Sequence, residues 1–143
     1  MTDLNFEDII GRYFNLNLKK DNYRIYVEEA GQGTPLLCLH TAGSDGRQFR
    51  HILNDKRITN NYRVIVFDLP WHGKSNPPEG YELKDYKLTT NLYKEIIMSF
   101  CKQYKLIDPV IMGCSMGGRV VLHLALEHCD YFKAVIALEG SDK

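Results

Sequence analysis

The sequence predicts an α/β protein: a mostly parallel sheet opened by an antiparallel hairpin, with helices on both faces. Three observations predict it. Residues 12–18 and 23–29 alternate polar and apolar side chains around a Lys-Lys-Asp-Asn turn, the pattern of two half-buried strands joined in a hairpin. Four apolar-rich runs follow at 36–39, 62–69, 109–112 and 133–138, and short continuous runs mark strands buried on both faces. Helical patterns lie between them, and alternation of strand and helix gives a parallel sheet.

The elements justify themselves in order. Residues 1–10 are a polar lead-in, and residues 30–35 (AGQGTP) form a second turn rich in breakers. The 36–39 strand ends in the small-residue loop 40–46, and a short helix over 47–53 sets Phe49, Ile52 and Leu53 on one side. The 62–69 strand is stopped by Pro70, and residues 71–81 are loop, with Gly73, Gly80 and Pro77-Pro78. Thr89 or Thr90 caps a helix reaching to about residue 104. Its Leu92, Tyr93, Ile96, Ile97, Phe100, Cys101 and Tyr104 recur at helical spacing, so one face is buried. The 109–112 strand leads into a glycine-bounded turn, and the next helix carries Val120, Val121, Leu124, Ala125 and His128 on one face.

Composition narrows the function classes. At 143 residues the chain has the length of one domain, 1–143, with a core of its own. Lys+Arg and Asp+Glu number 18 each, so no basic footprint points to nucleic acid or an anionic membrane. No apolar run approaches the ~18 residues of a membrane span, and residues 1–10 lack a signal pattern. The cysteines (Cys38, Cys101, Cys114, Cys129) have no CxxC spacing, which favours reduced thiols in a cytoplasmic protein.

The chemistry concentrates at residues 110–118, VIMGCSMGG. An apolar strand meets Gly-x-Ser-x-Gly and a helix begins at once, the context in which this motif carries mechanism. The sharp turn strains the residue between the glycines and projects its side chain, so Ser115 is the candidate nucleophile. In a sheet of this kind the site lies beyond the carboxyl ends of the strands, where loops 40–46, 68–75, 114–117 and 139–143 gather. Met116 offers a backbone N–H at a helix N-terminus, and loop 40–43 is placed to offer a second to an oxyanion.

Three ordered motifs carry a resemblance. His40-Thr41-Ala42-Gly43, residues 67–75 (FDLPWHGKS) and Gly113-Cys114-Ser115-Met116-Gly117-Gly118 resemble the oxyanion loop, the Asp-x-Pro-Gly-His-Gly-x-Ser loop and the nucleophile elbow of the α/β-hydrolase fold. Thr41 and Trp71 stand where that family commonly has glycine. The likeness covers nearly the whole chain and is to the family's N-terminal half. It implies oxyanion-hole N–H groups from Ala42 and Met116, structural roles for His40 and His72, and no cofactor. It also implies a triad His, which this family carries well after the elbow, and a protein roughly twice this length.

No histidine here makes a comfortable base: His123 and His128, five apart, do not share a helix face, and His51 reads as helix surface. Glu139, at the end of the last strand, is either a solvated carboxylate or the triad acid, with Asp142 a second candidate. The 133–138 run is expected to be left as an apolar edge, so a C-terminal half, in the same polypeptide or as a second chain, is the expected partner. The expected function is a carboxylesterase-like serine hydrolase of small-molecule esters, thioesters, lactones or amides, with this chain inactive alone. The alternative is a ligand-binding module with little turnover. Gly73-Lys74-Ser75 fails as a phosphate loop because Asp68 occupies the position of its first glycine, and no HExxH or paired CxxC supports a metal.

Overall fold

The computed structural model describes residues 4–141. Strands β1 (Ile10–Leu18) and β2 (Asp21–Ala30) form the hairpin, β3 is Thr34–Leu39 and β4 is Tyr62–Phe67. A 3-10 turn at Gly46–Phe49 runs into the short helix α1 (Arg50–Leu53), and α2 spans Lys56–Thr59. Helix α3 (Thr90–Gln103), strand β5 (Val110–Cys114), helix α4 (Met116–Glu127) and strand β6 (Ala134–Leu138) complete the order. The six strands form one sheet in the order β1-β2-β4-β3-β5-β6. β1, β2 and β4 pair antiparallel, and β4, β3, β5 and β6 pair parallel.

The expected architecture is present, with local differences that have physical causes. The hairpin turn tightens to Lys19-Lys20, with Lys19 at φ 55, so β2 already begins at Asp21. β4 stops at Phe67 rather than residue 69: the Asp68 N–H still donates to the Tyr26 carbonyl at 3.0 Å across the antiparallel β2 pairing, but the Asp68 carbonyl and the Tyr26 N–H both turn to Ser75 Oγ, at 2.6 and 2.8 Å, which interrupts the ladder. The helix expected over 47–53 splits into the 3-10 turn and α1, and α2 follows it unforeseen. Asp55 caps α2 by accepting from the Arg57 N–H at 2.9 Å. Thr89 is the α3 cap, its Oγ1 accepting from the Leu92 N–H at 3.1 Å.

Side chains alternate across the strands and fill two layers. Ile25, Leu37, Ile65, Phe67 and Ile111 pack under α3 and α4 against Ile96, Ile97, Phe100, Val121 and Leu124. Phe67 stacks on Phe100 with ring centroids 4.7 Å apart. On the other face Cys38, Val64, Val66 and Met112 meet Phe49 and Leu53. Burial pushes the Cys38 and Cys101 thiols up to about 12, so both are small apolar core residues rather than reactive groups.

The sheet is covered unevenly. β6 pairs with β5 on one side and, among the described residues, has no strand on the other. Ile136 and Leu138 are 41% and 43% exposed. The 133–138 run is therefore the bare apolar edge its sequence led one to expect. No helix among the described residues is long and apolar enough to cross a membrane.

Candidate active site

Ser115 stands between the end of β5 and the first residue of α4 with φ 52 and ψ −110. Positive φ is costly for a residue with a Cβ, and such strain persists only where the surroundings enforce it. The enforcement is backbone on both sides. The Ser115 N–H donates to the Leu138 carbonyl at 2.8 Å, and its own carbonyl accepts from the Arg119 N–H at 2.8 Å. The side chain is exposed and does not cap the helix it opens.

The glycines around it are fixed by close approach. A Cβ on Gly113 would collide with the Gly117 carbonyl group, and one on Gly117 would lie 2.6 Å from the Leu39 carbonyl oxygen. The elbow is thus wedged against the end of β3, which is the start of the loop carrying Ala42. On the opposite flank a Cβ on Gly118 would sit 2.8 Å from the Leu138 oxygen and 3.0 Å from the Gly140 Cα. That contact fixes the segment holding Glu139, itself exposed and at φ 50. Four sequence-predicted positions, Ala42, Ser115, Met116 and Glu139, therefore belong to three backbone segments in direct contact. Asp142 lies outside the described residues.

The neighbouring loops are held by buried polar groups. His40 is fully buried: its Nδ1 lies 2.8 Å from the Thr41 carbonyl and its Nε2 accepts from the Leu69 N–H at 3.1 Å. That pattern assigns the proton to Nδ1 and leaves a neutral ring. Burial lowers the His40 pKa below its ordinary 6.5, outweighing the hydrogen bond to the Thr41 carbonyl, which raises it, and the facing His72 ring adds to the lowering. His72 holds the Pro70 carbonyl through Nδ1 at 2.9 Å. Buried Asp68 accepts from the Gly46 N–H at 2.7 Å and the Lys74 N–H at 2.8 Å, joining loop 68–75 to loop 40–46. Ser75 Oγ donates to the Asp68 carbonyl at 2.6 Å and accepts from the Tyr26 N–H at 2.8 Å.

Sequence reading did not single out Gln48. Its Oε1 accepts from the Thr41 N–H at 2.9 Å, which orients the backbone one residue before Ala42. A lone glutamine in a short helical turn carries no sequence signal for that role. Trp71, at φ 64, packs on Tyr86 with centroids 4.5 Å apart, so the residue standing in a common glycine position adopts the backbone a glycine would.

The remaining histidines do not approach the nucleophile as bases. His123 and His128 lie down α4, more than about 10 Å along the axis from its start by helix rise. His51 is exposed on α1. Among the described residues no group of three or more His, Cys, Asp or Glu side chains is disposed to hold a metal ion.

Comparison with known proteins agrees with this fold. The sequence model of the alpha/beta hydrolase fold family matches residues 34–143. The pimeloyl-[acyl-carrier protein] methyl ester esterase of Vibrio vulnificus is 27% identical over 119 residues, 83% of this chain and 42% of that protein. The magnesium-chelatase 30 kDa subunit of Rhodobacter capsulatus is 33% identical over 95 residues, 66% of this chain and 31% of that protein. The solved epoxide hydrolase VrEH1 from Vigna radiata superposes with a TM-score of 0.74 at 21% identity, over 90% of this chain and 39% of its own. This chain spans less than half the length of these relatives.

Proposed function

Because the chain belongs to the α/β hydrolase fold family, we propose that Ser115 is the nucleophile of a serine hydrolase acting on small-molecule esters, thioesters, lactones or amides. The observation that carries the proposal is the strained elbow: Ser115 is held at φ 52 with an exposed side chain. Ser115 Oγ attacks the substrate carbonyl while its proton passes to a base, and the N–H groups of Ala42 and Met116 hold the oxyanion. Collapse expels the alcohol, thiol or amine with that proton. Water, deprotonated by the same base, then releases the acid and frees Ser115.

The base is a histidine outside the described residues. His40 has both ring nitrogens committed to backbone, and α4 carries His123 and His128 away from the turn. A complementing segment, the C-terminal half of this fold in the same polypeptide or as a second chain, brings that histidine by pairing with β6. Glu139, in contact range of the elbow, is the candidate acid to orient it. Without the complement the chain holds the nucleophile and oxyanion donors but does not turn over. The ester class has support from the methyl ester esterase relatives.

A second reading is a ligand-binding module with little turnover. It is favoured by the relative named as a magnesium-chelatase subunit, a name that describes no hydrolase. Fluorophosphonate labelling of the complemented protein separates the two. Labelling that maps to Ser115 and is lost in Ser115→Ala supports the hydrolase. Labelling left equal by Ser115→Ala contradicts it.

A further inference from the structure

We propose that the groove between the β1–β2 hairpin and the end of α3 binds a small phosphomonoester through Arg12, Arg63 and Lys105. The groove has a volume of about 330 Å³ and is lined by these three cations with Val27, Gln103 and Tyr104, a size that small-molecule sites share. β1 and β2 stand at the end of the sheet opposite β6, so a strand added beside β6 does not reach it.

One carboxylate organises the cations. Glu29, its side chain 13% exposed, accepts from Arg12 Nη2 and from Arg63 Nε at 3.0 Å and Nη2 at 2.6 Å. Tyr104 donates its hydroxyl to the same carboxylate at 3.3 Å. The Tyr104 ring is in turn fixed by Phe14 and Phe100, with centroids 5.2 Å and 4.9 Å away. The Arg63 guanidinium carbon lies 5.3 Å from that ring's centroid. Both guanidinium groups are therefore held in place before a ligand arrives, and each keeps N–H donors that Glu29 does not use.

Lys105 adds a third cation just past α3, at φ 57. Among the described residues it forms no ion pair. Three cations against one carboxylate leave a surplus of two positive charges. A phosphomonoester carries about −1.5 to −2 charge at pH 7 and offers three acceptor oxygens, which matches that surplus. A monocarboxylate carries only half of it. Arg63 is the second residue of β4, and Lys105 precedes β5. The groove thus opens at the amino ends of parallel strands whose carboxyl ends hold Ser115, and binding there does not depend on the hydrolase reading.

Isothermal titration calorimetry of the protein with glycerol 3-phosphate and with acetate, at about 0.15 M ionic strength, tests the site. Saturable binding of glycerol 3-phosphate below about 10 mM is expected, with acetate at least about tenfold weaker. Lys105→Asn removes a charge while suiting the left-handed backbone, and Arg12→Gln changes a side chain that is 56% exposed. Each is expected to weaken binding about fivefold with the far-UV spectrum unchanged. In the wild-type protein the Nε–H resonances of Arg12 and Arg63 are expected to shift along the same titration. Absence of saturable binding in that range overturns the proposal. Acetate binding as tightly as glycerol 3-phosphate, or undiminished binding in both variants, overturns it equally.

Discussion

The backbone N–H of Ser115 donates to the carbonyl of Leu138 at 2.8 Å. The tip of the elbow is therefore tied to the last residue of β6, an edge strand of the sheet among the described residues. Covering that edge is expected to stiffen the elbow through this one hydrogen bond. The Ser115 amide is expected to exchange faster in the chain alone than in the complemented protein. Equal protection in both states contradicts that coupling.

The strain at Ser115 gives a stability prediction of unusual sign. At φ 52 a Cβ is costly and glycine is not. Ser115→Gly is expected to be more stable than Ser115→Ala by about 1 kcal/mol, although both lose the nucleophile. Urea unfolding of the pair measures this, and a less stable glycine variant contradicts the enforced backbone.

Gly117→Ala is expected to behave oppositely. Its Cβ would lie 2.6 Å from the Leu39 carbonyl oxygen, and neither backbone can yield without moving β3 from the elbow. A loss of about 3 kcal/mol, with loss of fluorophosphonate labelling, is expected. Wild-type midpoint in urea contradicts it.

His40 sets a pH dependence. Burial lowers its folded pKa beneath the ordinary 6.5, so as pH falls below 6.5 the unfolded chain takes up the proton first. Stability attached to the neutral ring is complete above 6.5 and is lost as pH falls toward the lower folded pKa. The wild-type chain is therefore expected to lose more stability than His40→Gln between pH 7.5 and 5.5, as urea unfolding at the two pH values measures. His40→Gln is also expected to cost about 1–3 kcal/mol at pH 7.5, through loss of the Nδ1–H donor to the part-buried Thr41 carbonyl. Parallel pH profiles contradict the assignment.

Gln48 is expected to act on the oxyanion loop alone. Gln48→Ala removes the acceptor of the Thr41 N–H on an exposed turn, so stability should move by less than about 0.5 kcal/mol. Labelling of Ser115 in the complemented protein should slow several-fold, and Gln48→Glu, which keeps the acceptor, should recover part of the rate. An unchanged labelling rate for Gln48→Ala contradicts the positioning role.

Much of this was legible in the sequence because period and punctuation act locally. Residues 12–18 and 23–29 alternate, the 36–39 run is wholly apolar, and Gly-x-Ser-x-Gly needs a strand before it and a helix behind it. Each is a constraint that neighbouring residues satisfy among themselves. What escaped depends on distant partners. α2 exists because Asp55 caps four residues with little helical pattern of their own, and β4 ends early because Ser75 Oγ takes the Asp68 carbonyl and the Tyr26 N–H. Gln48 becomes part of the site only because the 3-10 turn at Gly46–Phe49 folds back over Thr41. Glu139 was legible as a strand end, but its φ of 50 and the Gly118–Gly140 contact beside it are tertiary facts.

Whether Ser115 carries an acyl group is read most directly by mass spectrometry after acid quench of the complemented protein with a p-nitrophenyl ester. An acyl adduct on Ser115, absent in Ser115→Ala and absent from the 143-residue chain without its complement, is the expected result. Turnover of the ester with no adduct on Ser115, or with an undiminished rate in Ser115→Ala, contradicts a serine nucleophile at this elbow.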